Sequence, residues 1–160
     1  MPFYDRSMGV GARRQQLNFE LFFEAYRKGE LQFADALIAR LLEQGSNNPV
    51  HLSYAGLLRV LAQRDVKKGL EMCEQAVILG AFDPVVFLNL ARLHVATGFR
   101  TQAVTTLRHG LRVHGGDPVL LDEIERLSPR RPRVIEGLDR AHPANRVLGK
   151  LASRLSSLRN

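Results

Sequence analysis

The chain has a single cysteine, Cys73, and no tryptophan among its 160 residues. One thiol excludes a disulfide within the chain and suits a reducing, cytoplasmic setting. No run approaches the roughly 18 apolar residues that a membrane-spanning helix needs. Residues 1–16 hold Arg6, Arg13 and Arg14 but no continuous apolar stretch, which argues against a secretory leader. Metal-binding spacing is missing as well. The five histidines form no His-Glu-x-x-His, and His109 and His114 are five apart, which does not stack two ligands on one helical face. Gly9-Val10-Gly11 has no strand before it, as a phosphate loop requires. No pattern brings a nucleophile to a base, so the expectation is a non-enzymatic chain with no cofactor and no metal.

Charge of one sign is missing from most of the chain and concentrated in the rest. Residues 1–125 carry 14 Lys+Arg and 14 Asp+Glu, whereas residues 126–160 carry 9 Lys+Arg against Glu136 and Asp139. The whole net charge of +7 therefore belongs to the C-terminal segment. A basic tail of this kind differs from a nucleic-acid-binding face, and no aromatics accompany Pro129-Arg130-Arg131-Pro132-Arg133 for base stacking.

What is present is a period. Asn48-Pro49, Asp83-Pro84 and Asp117-Pro118 are separated by 35 and 34 residues, and each pairs an N-capping side chain with a Pro suited to a first helical turn. Fifteen residues before each Pro stands a small residue: Ala34, Gly69 and Ala103. Further columns align as Ile38/Cys73/Leu107, Leu41/Ala76/Gly110 and Leu42/Val77/Leu111. Small side chains allow two helices to approach, and larger ones a turn later fill the gap to the next pair. In this register Cys73 reads as buried filler.

Apolar residues recur with helical spacing between turn signals throughout. The pattern predicts helices over 14–28, 31–44, 49–62, 66–79, 84–97, 100–113 and from Pro118 to a stop before Pro129. Gly29, Gly80 and Gly98 read as stops. No segment alternates as a strand does, so the fold class is all-α. The expected architecture is a right-handed α-solenoid of about three helix-turn-helix repeats with a truncated fourth and a C-terminal amphipathic helix. The domain reading is a flexible N-terminal arm over 1–14, a repeat domain over 15–128 and a basic extension over 129–160.

Pro84 to Asp117 resembles a tetratricopeptide repeat, with Phe87, Leu90, Ala91 and His94 followed by Gly98, Ala103 and Leu107. Leu52, Ala55, Gly56 and Arg59, then Gly69, Cys73 and Ala76, follow the same pattern in the preceding unit, while the first unit has Asn18 where the aromatic belongs. The resemblance spans roughly residues 15 to 128. It implies a concave groove lined by the first helix of each pair. Carried onto this sequence, the lining is Phe19, Phe23, Tyr26 and Arg27, then Val50, Ser53, Leu57, Val60 and Leu61, then Val85, Leu88, Arg92, Val95 and Ala96. This lining is mostly apolar, with Arg27 and Arg92 placed to orient an acidic group. The partner it implies is a peptide or amphipathic helix of another protein.

Two other functions keep a place. One is a chaperone or secretion adaptor for a hydrophobic client. The other is docking on an anionic surface through the basic tail, with Arg130, Arg131 and Arg133 followed by Arg146, Lys150 and Arg154 beside a stripe of Leu148, Leu151, Leu155 and Leu158. That last helix suits a solenoid cap, the groove, a partner helix or a lipid surface, although it lacks the aromatic residues that favour lipid.

Overall fold

The computed structural model describes residues 10–127. Over that range it is helical throughout: α1 (Val10–Lys28), α2 (Leu31–Glu43), α3 (Pro49–Gln63), α4 (Val66–Gly80), α5 (Pro84–Ala96), α6 (Arg100–Val113) and α7 (Pro118–Leu127). Helix α1 begins at Val10, four residues before the expected helix start at Arg14. Ala12, Arg13 and Arg14 are good helix formers and extend the helix upstream of its first apolar contact. The basic tail and its leucine stripe lie outside the described residues.

Helix starts follow the caps. The Asn48 side chain accepts from the N–H of Val50 at 2.9 Å, Asp83 from Val85 at 2.9 Å, and Asp117 from Val119 and Leu120 at 2.9 and 3.1 Å. Asp65 Oδ1 accepts from Lys68 at 3.1 Å. Each of these contacts satisfies an N–H that the first turn leaves without a helical partner. Gly29 and Gly98 close their helices in left-handed backbone conformation, φ 79° and 86°. Gly80 behaves differently: it is the last residue of α4, and Ala81 caps the helix. A Cβ at Gly80 would sit 2.4 Å from Cβ of Pro49, so this glycine marks a close approach to the start of α3 and not a stop.

Successive helices form antiparallel hairpins, and the first helices of neighbouring hairpins also meet, α3 against α5 and α5 against α7. This is hairpin stacking, the architecture of a helical solenoid. The small-residue columns lie at the centre of it. Ala34, Ile38 and Leu41 of α2, Cys73 and Ala76 of α4, and Ala103 and Leu107 of α6 are all fully buried. Between α3 and α4 the backbones approach most closely, where a Cβ on Gly56 would meet the carbonyl oxygen of Gly69 at 2.7 Å. Cys73 Sγ donates to the carbonyl of Ser53 at 3.2 Å in that seam.

Candidate functional site

The faces of α1, α3 and α5 form the surface that the resemblance points to. Helix α1 brings Phe19, Phe22, Phe23 and Tyr26 to one side, because spacings of three and four return to the same helical face. They meet α3 through a cluster of rings. Phe22, Phe23 and Tyr26 pack against Tyr54 with centroids 5.1, 6.2 and 5.4 Å away, and Phe19 stacks on His51 at 4.4 Å. Such ring pairs contribute about 0.5–1.5 kcal/mol each beyond their buried area. His51 is held from the other side by Ser46, Oγ to Nδ1 at 2.7 Å.

The expected lining divides in two. Phe19, Tyr26, Leu61, Val85 and Arg92 are half-buried, Arg27 is exposed, and Phe23 and Val95 retain 39% and 41% exposure. Ser53, Leu57, Val60 and Leu88, in contrast, are core residues, with at most 5% exposure. Helix α3 is the central element, packed against α2, α4 and α5 at once, and this leaves it almost no free side. Leu57 and Val60 accordingly sit among Cys73, Leu90 and Leu93, and Leu88 among Phe87, Ala91 and Leu120. Ser53 is tied into a buried polar contact, accepting from Asn89 Nδ2 at 2.9 Å while donating to the carbonyl of Val50 at 2.8 Å.

The two arginines also differ. Arg92 lies 3.6 Å from Glu123 of α7 and so has its counter-charge within the chain, contrary to the expectation of a cation waiting for a ligand. Arg126 reaches the same carboxylate at 3.9 Å and Asp122 at 2.9 Å. Arg27 has no acidic partner among the described residues and borders a cleft of about 470 Å³ with Phe23, Glu20, Glu24 and Lys28. Lys28 and Glu24 of that border are already paired at 2.7 Å.

The titratable groups near this face are tuned toward neutrality by burial. Burial pushes the Tyr54 phenol up to about 12 and the Cys73 thiol up to about 12, so neither ionises near neutral pH. It also holds the imidazoles of His51 and His94 below their usual range, for His94 in spite of nearby Glu74. Among the described residues no group of His, Cys, Asp or Glu could hold a metal ion, and no helix is long and apolar enough to cross a membrane. Shape and apolar area are what this face offers.

Phe19, Phe23, Tyr26 and Ser53 were expected site residues, but Phe22, His51 and Tyr54 of the ring cluster and Asn89, the partner of Ser53, were not. A signal for part of this existed: Tyr54 and Asn89 each stand five residues after the Pro that opens their helix and occupy one position of the repeat.

Stacked hairpins with small-residue seams and a face built by their first helices define a helical-repeat fold similar to that of tetratricopeptide domains. The solved TPR domain of Arabidopsis OM64 has the same fold, with a TM-score of 0.57 at 13% identity over 73% of this chain and 96% of that one. No family model matches the sequence, and no curated protein matches it either.

Proposed function

We propose that the chain is a non-enzymatic protein-interaction module that holds an apolar peptide or amphipathic helix of a partner against the first-helix face. The observation that carries this reading is the pair of partly exposed apolar side chains, Phe23 on α1 and Val95 on α5. Half-buried Tyr26 and Leu61 pack against one core cluster, and Arg27 borders a cleft with Phe23 as the cation for an acidic end or flank. An amphipathic helix docks in such a face through apolar side chains at helical spacing. Its affinity comes chiefly from buried apolar area, about 25 cal/mol per Å² before the costs of association. A cytoplasmic setting suits the single buried thiol.

Peptides selected from a proteome-derived display library on the full chain test this reading. Phe23→Glu and Val95→Glu alter exposed positions, so helical circular dichroism should persist while peptide affinity falls by about tenfold or more. Equal binding by both variants would overturn the reading.

Charge distribution favours a second role beside the first. The +7 carried by residues 126–160 suits an anionic surface, and attachment through it should weaken steeply with salt. Binding through the apolar face should change little over the same range.

A further inference from the structure

A second cleft, sharing no lining residue with the one beside Phe23, lies where the end of α2 and the start of α3 meet the end of α4. Its volume is about 560 Å³, and its walls include Leu42, Leu52, Leu79 and Phe82, with Asn47 and Gln75 as polar members. Phe82 of its wall and Ile78, the residue before Leu79, are 78% and 81% exposed, the highest values among the large hydrophobic side chains described.

Repeat packing does not require these residues. Ile78, Leu79 and Phe82 precede Pro84 by six, five and two residues; the same positions before Pro49 are Glu43, Gln44 and Asn47, and before Pro118 they are Arg112, Val113 and Gly116. Only the middle hairpin is apolar at all three places. Contiguous apolar surface that a fold does not use marks an interaction site in a soluble protein.

The chemistry of the cleft selects its occupant. No charged residue lines it, so the element that enters is apolar. The exposed carboxamides of Asn47 and Gln75 each offer both a donor and an acceptor, which matches the N–H and C=O of a peptide backbone. Glu71, one helical turn before Gln75, and Glu43, next to Leu42, are exposed and have no ion pair among the described residues. Two carboxylates not held in an ion pair favour basic flanks on the incoming segment. We propose that this cleft docks a short segment of a partner protein in which Leu or Phe side chains are flanked by Lys or Arg.

The test uses a random-peptide display library selected on the full chain, with each recovered peptide titrated against variants. Recovered peptides should carry Leu or Phe next to Lys or Arg. Their affinity should fall about tenfold in Phe82→Ser and in Ile78→Ser, and several-fold in Glu71→Lys, and should be unchanged in Phe23→Glu. Both serine variants alter exposed side chains, and an unchanged helical spectrum in either one keeps the test valid. Peptides lost in Phe23→Glu but retained in Phe82→Ser would overturn this proposal and leave the first-helix reading standing. Recovery of no peptide sensitive to Phe82→Ser would overturn it too. So would a dimer of the full chain that Phe82→Ser dissociates in sedimentation, since a second copy would then be the occupant.

Discussion

Asn89 Nδ2 donates to Ser53 Oγ at 2.9 Å with both residues fully buried, tying α5 to α3 from inside the core. The other amide atom, Oδ1, has no hydrogen-bond partner among the described residues. An unpaired buried acceptor costs about 1–3 kcal/mol, so this contact is a weak point as well as a link. Ser53→Ala should destabilise the protein by about 1–3 kcal/mol because it strands the amide donor too. Adding Asn89→Leu should recover part of that loss, since replacing both polar partners by apolar groups removes the desolvation cost. Urea denaturation of the wild type, the two single variants and the double variant measures the coupling. A double variant less stable than either single one would refute this account.

The same substitution should have opposite signs at two glycines. A Cβ on Gly56 would meet the Gly69 carbonyl and Cys73 Sγ, each at 2.7 Å, and backbone cannot swing aside as a flexible side chain can. Gly56→Ala should therefore cost about 1–3 kcal/mol through overpacking, more than the gain of up to about 1 kcal/mol in helix propensity. A Cβ on Gly11 would meet no other side chain or helix within 4 Å among the described residues, so Gly11→Ala should give only the propensity gain. Thermal unfolding of the two variants decides it, with melting temperatures expected to move apart.

How far the fold could be read from residues alone depends on how local each determinant is. Caps and Pro positions act within one turn, so the starts of α3, α5 and α7 follow directly from Asn48-Pro49, Asp83-Pro84 and Asp117-Pro118. The small-residue columns were legible because the repeat reuses one packing solution. Burial of Ser53, Leu57 and Val60 on α3 and of Leu88 on α5 was not, because it depends on each of those helices being enclosed by at least three neighbours, and a helical pattern carries no count of neighbours. The role of Gly80 was hidden for a related reason. Its close contact is with Pro49, far away in sequence, while its position at the end of a helix suggests a stop.

Stability should fall on both sides of a plateau, for reasons visible in the buried titratable groups. The folded state holds His51 and His94 below their usual 6.5, so below that value the unfolded chain binds more protons and stability drops as pH falls. Cys73 and Tyr54 are raised to about 12 from 9.0 and 10.0. Above pH 9 the unfolded chain therefore binds fewer protons, and stability drops as pH rises, first through Cys73 and then through Tyr54. Urea midpoints measured across this range should give a maximum between about pH 7 and 9. Tyr54→Phe should flatten the alkaline limb above pH 10, and an unchanged limb would show that Tyr54 does not contribute to it.

Arg64 caps α3 with φ 61° and ψ 16°, the one left-handed residue other than glycine among those described. That conformation costs an ordinary side chain about 1–2 kcal/mol. Replacing it by glycine removes the strain but adds about 0.4–1 kcal/mol of unfolded-state entropy. Strain is the larger effect, so Arg64→Gly should stabilise the protein, by about 0.5–1 kcal/mol. The neighbouring Gln63 is the last residue of α3, so Gln63→Gly should lose stability instead, by up to about 1 kcal/mol. Chemical denaturation of both variants separates the effects. Equal losses in the two would mean that the left-handed turn holds Arg64 through interactions that outweigh its strain.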